Sequence, residues 1–125
     1  MDDSSTLPRT FKYRLKPTRA QRAQLEQTLE LCRSVYNSTL AVRKHTYERE
    51  GKSLSRYDTN TLLPDWKRNF TALKHVHSKV LQNVQVRVDL AFAAFFRRVK
   101  AGEEPGYPRF KGKGQYHSIT YPQVR

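Results

Sequence analysis

Residues 18–50, TRAQRAQLEQTLELCRSVYNSTLAVRKHTYERE, contain no Gly or Pro between Arg19 and Glu50. That run predicts one long helix. Thr18 with Gln21 three residues on has the pattern of a capping box at the start, and Gly51 suits the end. Leu25, Leu29, Cys32, Tyr36 and Leu40 follow gaps of three and four, which marks a single apolar stripe for burial. A second helix is predicted from Ser78, read as its N-cap, to a stop at Gly102. Its stripe is Leu81, Val84, Val88, Ala91, Phe95 and Val99, widened by Phe92 and Phe96. Two such stripes can cover each other, so the expected architecture is mainly α: a small bundle of two long antiparallel helices. A short third helix should start near Thr59 or at Pro64, which suits a first helical turn, and run to about Phe70. Residues 53–59 read as a polar loop.

On either side of this helical block the texture changes. In FKYRLKPT (11–18) Phe11, Tyr13 and Leu15 alternate with Lys12, Arg14 and Lys16, so an extended strand would have one apolar and one wholly cationic face. After Gly102 the chain is aromatic, basic and rich in Gly and Pro, with a second strand predicted at 118–121. The bundle is thus expected to be flanked by two short strands of an incomplete split β domain, with residues 1–9 a disordered leader. A lone two-stranded ribbon is marginal.

The chain has 125 residues with 24 Lys+Arg against 11 Asp+Glu, a formal net charge of +13. Charge of that size repels itself unless something anionic neutralises it. Nucleic acid and an anionic membrane surface are the candidate partners. No apolar run approaches the roughly 18 residues of a membrane-spanning helix, and the polar, acidic N-terminus is unlike a signal peptide. A soluble cytoplasmic protein with no membrane partner is the expectation. Cys32 is the only cysteine, which excludes an internal disulfide and a thiolate-rich zinc site. It lies on the apolar stripe, the place of a small core residue rather than a nucleophile.

Three segments suit a polyanion. The strand face of Lys12, Arg14 and Lys16 is the first; its plain alternative is a solvated edge guarded by lysines. Tyr107-Pro-Arg109-Phe110-Lys111 with Lys113, Tyr116 and His117 is the second. There aromatics can stack on bases while cations hold phosphates, or else plug the end of the bundle, with Phe110 in the core. The start of the Ser78 helix is the third: free amides attract phosphate, and Lys79, Gln82 and Asn83 can reach base edges. His75-Val76-His77 has the spacing of the metal pair in single-strand nickases, but those hold both histidines on one strand of a sheet, which is not predicted here. No catalytic or metal-binding constellation and no cofactor site is read from the chain.

Taken in order, the motifs R-L-x-P-T, V-Y-N, L-L-P, V-L-Q, F-F, G-Y-P-R-F-K and Y-P-Q make residues 10–123 resemble the N-terminal part of TnpB/OrfB proteins, transposon-encoded RNA-guided DNA nucleases. The resemblance implies a wedge-like β domain, with its first strand at 10–17 and a returning segment at 107–125. A helical recognition domain at 18–106, carrying a helix-turn-helix label, would split it in two. It implies binding of a guide RNA scaffold and of a short motif on double-stranded DNA. By position, Tyr57 or Arg56, Ser78, Lys79, Gln82, Thr120 and Tyr121 would read that motif, while Lys12, Arg14, Arg109, Lys111 and Lys113 would clamp backbone, on RNA above all. The family's RuvC-like catalytic domain and zinc ribbon lie downstream of the stretch matched here. The chain is therefore expected to bind rather than cleave, with a separate catalytic polypeptide as a further partner. The alternatives are a stand-alone helix-turn-helix regulator and a non-functional transposase remnant.

Overall fold

The computed structural model describes residues 18–104 and 106–119. The strand predicted at 11–16 lies outside them, as do Lys12, Arg14, Lys16, Thr120 and Tyr121. Four α-helices and a 3₁₀ turn follow one another: α1 (Arg19–Glu50), α2 (Arg56–Asn60), α3 (Leu63–Asn69), the turn (Thr71–His75) and α4 (Ser78–Lys100). Among the described residues there is no strand; Ser118 and Ile119, the start of the second predicted one, are irregular. No helix of the described residues is long and apolar enough to cross a membrane.

Helix α1 begins and ends where its sequence dictates. The Thr18 hydroxyl accepts the Gln21 amide at 3.1 Å, and the Gln21 side chain accepts the Thr18 amide at 2.9 Å. At the other end Gly51 takes φ +67°, a left-handed conformation that costs a glycine little, and its N–H returns to the Tyr47 carbonyl. Helix α4 ends in a Schellman motif: Gly102 (φ +79°) bonds to the Val99 carbonyl and Glu103 to that of Arg98.

The two long helices do pack on each other, but in the same direction. Arg43 pairs with Asp89 at 2.8 Å, and its guanidinium lies 4.8 Å from the centre of the Phe92 ring. One turn further along α1, Tyr47 meets Phe95 and Phe96, one turn further along α4. An antiparallel pair would instead bring Tyr47 back toward Val88. The expected antiparallel arrangement is thus corrected. Antiparallel neighbours follow from short connections, whereas the stretch from Gly51 to His77 is long enough to retrace α1 and start α4 alongside its middle.

The core contains Cys32, Val35, Tyr36 and Leu40 from α1 and Val80, Leu81, Val84, Val88, Phe92 and Phe95 from α4. Each Val, Leu or Phe among them stabilises by roughly 1.5–3 kcal/mol when fully buried. Leu25 and Leu29, expected in the same stripe, are only partly buried. Val99 is exposed, and Gln85 takes a fully buried position that a polar residue does not advertise. Burial pushes the Cys32 thiol up to about 11, in keeping with a core residue.

The return segment is helical where a loop was expected. Ser55 caps α2 and Asp58 completes a capping box, the Asp58 carboxylate accepting the Ser55 amide at 2.9 Å. Thr59 is fully buried and fastens α2, which packs on α4. The Ser-x-x-Asp signal was in the sequence, hidden in a stretch too short for periodicity to register. After α4 the chain turns back along the α1–α4 seam. Tyr107 stacks on Phe95 at 4.7 Å, and further on Tyr116 meets Tyr36 edge-on at 6.0 Å. The Asn37 side chain pairs with both backbone groups of Lys111, at 2.8 and 2.9 Å, and Arg87 donates to the Ser118 carbonyl at 3.0 Å.

Spin labels at the exposed Glu50 and Lys100 should report a separation well below the ~35 Å length of α4; a distance near that length would restore the antiparallel pair. The backbone amide and hydroxyl of Ser55 hold the Asp58 carboxyl below its ordinary value of 3.8. Its stabilisation of α2 is therefore present above that value and fades as pH falls through the lowered one. Ser55→Ala should cost about 1 kcal/mol in urea unfolding; an unchanged midpoint would show that the cap does not hold α2.

Candidate nucleic-acid interface

Helix α2 lies against the N-terminal half of α4, and seven side chains line one open depression there: Arg56, Tyr57, Asn60, Lys79, Gln82, Asn83 and Val86. The spacing explains the set. On α2, 56, 57 and 60 share a face by the i, i+3 and i, i+4 rule, and on α4 so do 79, 82, 83 and 86. Three expected motif readers, Tyr57, Lys79 and Gln82, thus meet from segments more than twenty residues apart in sequence. Asn60 and Val86 were not foreseen, because they join the groove only through the unexpected α2.

Charge and exposure suit this groove to an anion. Tyr57 is 67% exposed, with the Arg56 guanidinium 5.0 Å from its ring centre and donating to its hydroxyl at 2.9 Å. Lys79 and Gln82 are exposed. No Asp or Glu occurs from Trp66 to Val88, a stretch with five Lys or Arg residues. The nearby Asp58 carboxylate is engaged in the α2 cap. On α3, Lys67 adds a further cation, donating to the Ser78 hydroxyl at 3.0 Å.

That contact corrects the reading of Ser78. The N-cap is His77, whose ring Nδ1 accepts the Lys79 amide at 3.0 Å, and Ser78 is the first helical residue. The amides of Val80 and Leu81 both return to the His77 carbonyl. The amides of Lys79, Val80 and Leu81 are thus already engaged, and the positive charge at this helix start lies on the side chains of Lys67 and Lys79. His77 is occupied as a cap and separated from His75 by the buried Val76.

The second set, in the tail, divides. Tyr107 and Tyr116 belong to the packing, and burial raises the Tyr116 phenol above its ordinary value. Phe110, expected in the core, is 50% exposed. Lys111 has its backbone held by Asn37 and Arg33, and its ammonium lies 5.4 Å from the Tyr36 ring centre. Arg109 and Lys113 are exposed, and Glu30, paired with Arg33, lies close enough to Lys113 to feel its charge. Among the described residues no group of His, Cys, Asp and Glu side chains is placed to hold a metal ion.

A family model of the OrfB group described as a helix-turn-helix domain, HTH_OrfB_IS605, matches residues 7–52. Within the described part of that span the chain forms one uninterrupted helix up to Glu50, without the internal turn that such a motif requires. A Streptomyces pristinaespiralis protein named as a candidate RNA-guided DNA endonuclease is 34% identical over 107 residues, covering 84% of this chain and 25% of the relative. InsQ of Escherichia coli K12, named in the same way, is 30% identical over 90% of this chain and 27% of its own length. The chain thus spans about a quarter of these relatives. Virulence protein VsdF of Salmonella dublin is 32% identical over 84% of this chain and is itself covered over 96% of its length. With a relative matched almost end to end and the OrfB domain recognised at 7–52, the chain belongs to the OrfB/TnpB family.

Proposed function

We propose that this chain is the nucleic-acid-binding N-terminal portion of a transposon-encoded RNA-guided DNA nuclease, and that the α2–α4 groove reads a short motif on duplex DNA beside the target. The observation that carries the proposal is the meeting of Tyr57, Lys79 and Gln82 in one cationic groove open to solvent. In this reading Lys79 and Lys67 neutralise phosphates. Gln82 presents an amide that can bond adenine through two hydrogen bonds in the major groove. Arg56 and Tyr57 flank the base edge from the other side. Arg109, Lys111 and Lys113 hold the guide RNA scaffold, together with Lys12, Arg14 and Lys16; Ser78, Thr120 and Tyr121 complete the motif-reading set by position in the family. The role of this segment is binding, and cleavage belongs to a catalytic portion elsewhere.

A second reading, a stand-alone DNA-binding protein that uses no RNA, draws support from VsdF, which is matched over nearly its whole length. Copurified structured RNA separates the two, since only the first reading requires it.

The site is tested by titrating labelled duplexes of matched and scrambled motif against variants at several salt concentrations. Lys79→Ala should weaken binding to every sequence alike and flatten the logarithmic salt slope by about 1. Gln82→Ala should instead relax preference at one base pair, a loss of roughly 1–3 kcal/mol of discrimination there. Equal losses on matched and scrambled DNA would refute the role of Gln82.

A further inference from the structure

We infer that Phe110 is a stacking platform for an unpaired nucleobase, with Arg109 and Lys113 holding the adjoining phosphates, which makes residues 109–113 a single-stranded nucleic-acid site separate from the α2–α4 groove. The inference rests on the proposed nucleic-acid binding and adds a second ligand contact with different chemistry.

The tail has three aromatic rings between 107 and 116, and the fold uses two of them. Tyr107 lies nearly parallel to Phe95, at an interplanar angle of 16°, and Tyr116 is 6% exposed against Tyr36. Phe110 is half exposed and has no ring partner among the described residues. A single exposed aromatic decides nothing by itself, since soluble proteins commonly have them. Two further observations do.

The first is rigidity. The residue next to Phe110 is locked to α1: the Asn37 side chain accepts the Lys111 amide and donates to the Lys111 carbonyl, and Arg33 donates to that carbonyl at 3.0 Å. Just beyond, the Gly112 amide is taken by the Gln115 side chain. A ring presented from a pinned backbone loses little freedom when a base lands on it.

The second is charge. No Asp or Glu occurs from Pro105 to Arg125. Arg109 is exposed with no ion-pair partner among the described residues, and Lys113, two residues beyond the pinned Lys111, is exposed near a Glu30 carboxylate that Arg33 already pairs. An exposed ring flanked in sequence by two exposed cations is a combination suited to single strands, the ring taking a base and the cations its backbone.

The test compares fluorescently labelled oligouridylate RNA, oligothymidylate DNA, an abasic DNA strand of equal length and a duplex. With the stacked base lost, Phe110→Ala should weaken binding of base-bearing strands by about tenfold. Its affinity for the abasic strand and the duplex, and its melting temperature, should stay at the wild-type value. Phe110→Trp should restore tight binding, and the RNA and DNA arms identify which strand supplies the base. Wild-type protein that holds abasic and base-bearing strands equally, or a Phe110→Ala variant that binds all of them like wild type, overturns the site. Wild-type protein that ignores every strand and the duplex overturns the proposed function itself, so the two failures are distinguishable.

Discussion

The parallel packing of α1 on α4 is the constraint from which the other features descend. It is fixed at its middle by Arg43, 4% exposed, in contact with both Asp89 and the Phe92 ring. A buried guanidinium stripped of its carboxylate would be costly, so this pair sets register as much as it adds stability. Two parallel neighbours cannot be joined by a tight turn. The chain must travel back along α1 before α4 can start, and the return segment places α2 beside the first half of α4. After α4 the chain travels back once more, along the seam, and that second return displays Arg109, Phe110 and Lys113. Both candidate contact surfaces are products of retracing.

The same constraint organises the charge. Several carboxylates are engaged locally: Asp58 in the cap of α2, Asp89 with Arg43, Glu30 with Arg33 and Asp65 with Arg68. Lys79 in the groove and Arg109 and Lys113 in the tail are left exposed. Exposed ion pairs such as Asp65–Arg68 add little to stability. With a net charge of +13 the chain repels itself, and a phosphate backbone laid across the groove would relieve that repulsion while holding the ligand.

Much of this was legible in the sequence, and the parts that were not have identifiable reasons. The limits of α1 follow from the Thr18–Gln21 box and Gly51, and the end of α4 from Gly102, because caps are local chemistry. Direction was not legible: an apolar stripe says that a helix is covered, not which way its neighbour runs. Helix α2 was missed because five residues are too few for periodicity, although Ser55 and Asp58 spelled its cap. In the tail the alternation of aromatics and cations was plain, yet only tertiary packing decides that Tyr107 and Tyr116 go in while Phe110 stays out. Lys79 and Gln82 were marked by their place at the start of the Ser78 helix as well as by family resemblance, and Tyr57 by resemblance alone; Asn60 and Val86 had no such signal. Ser78 was misread as a cap because hydroxyls outrank imidazole in that role, while here His77 reaches the Lys79 amide first.

The central claim is that duplex DNA is met by the return segment and α4, not by a helix-turn-helix inside the span of the matched family domain. Amide hydrogen exchange with and without duplex DNA tests it most directly. The account predicts slowed exchange in residues 56–60 and 79–86 on binding, with 19–34 unchanged. Protection confined to the exposed face of α1, with α2 and the start of α4 unaffected, would contradict it.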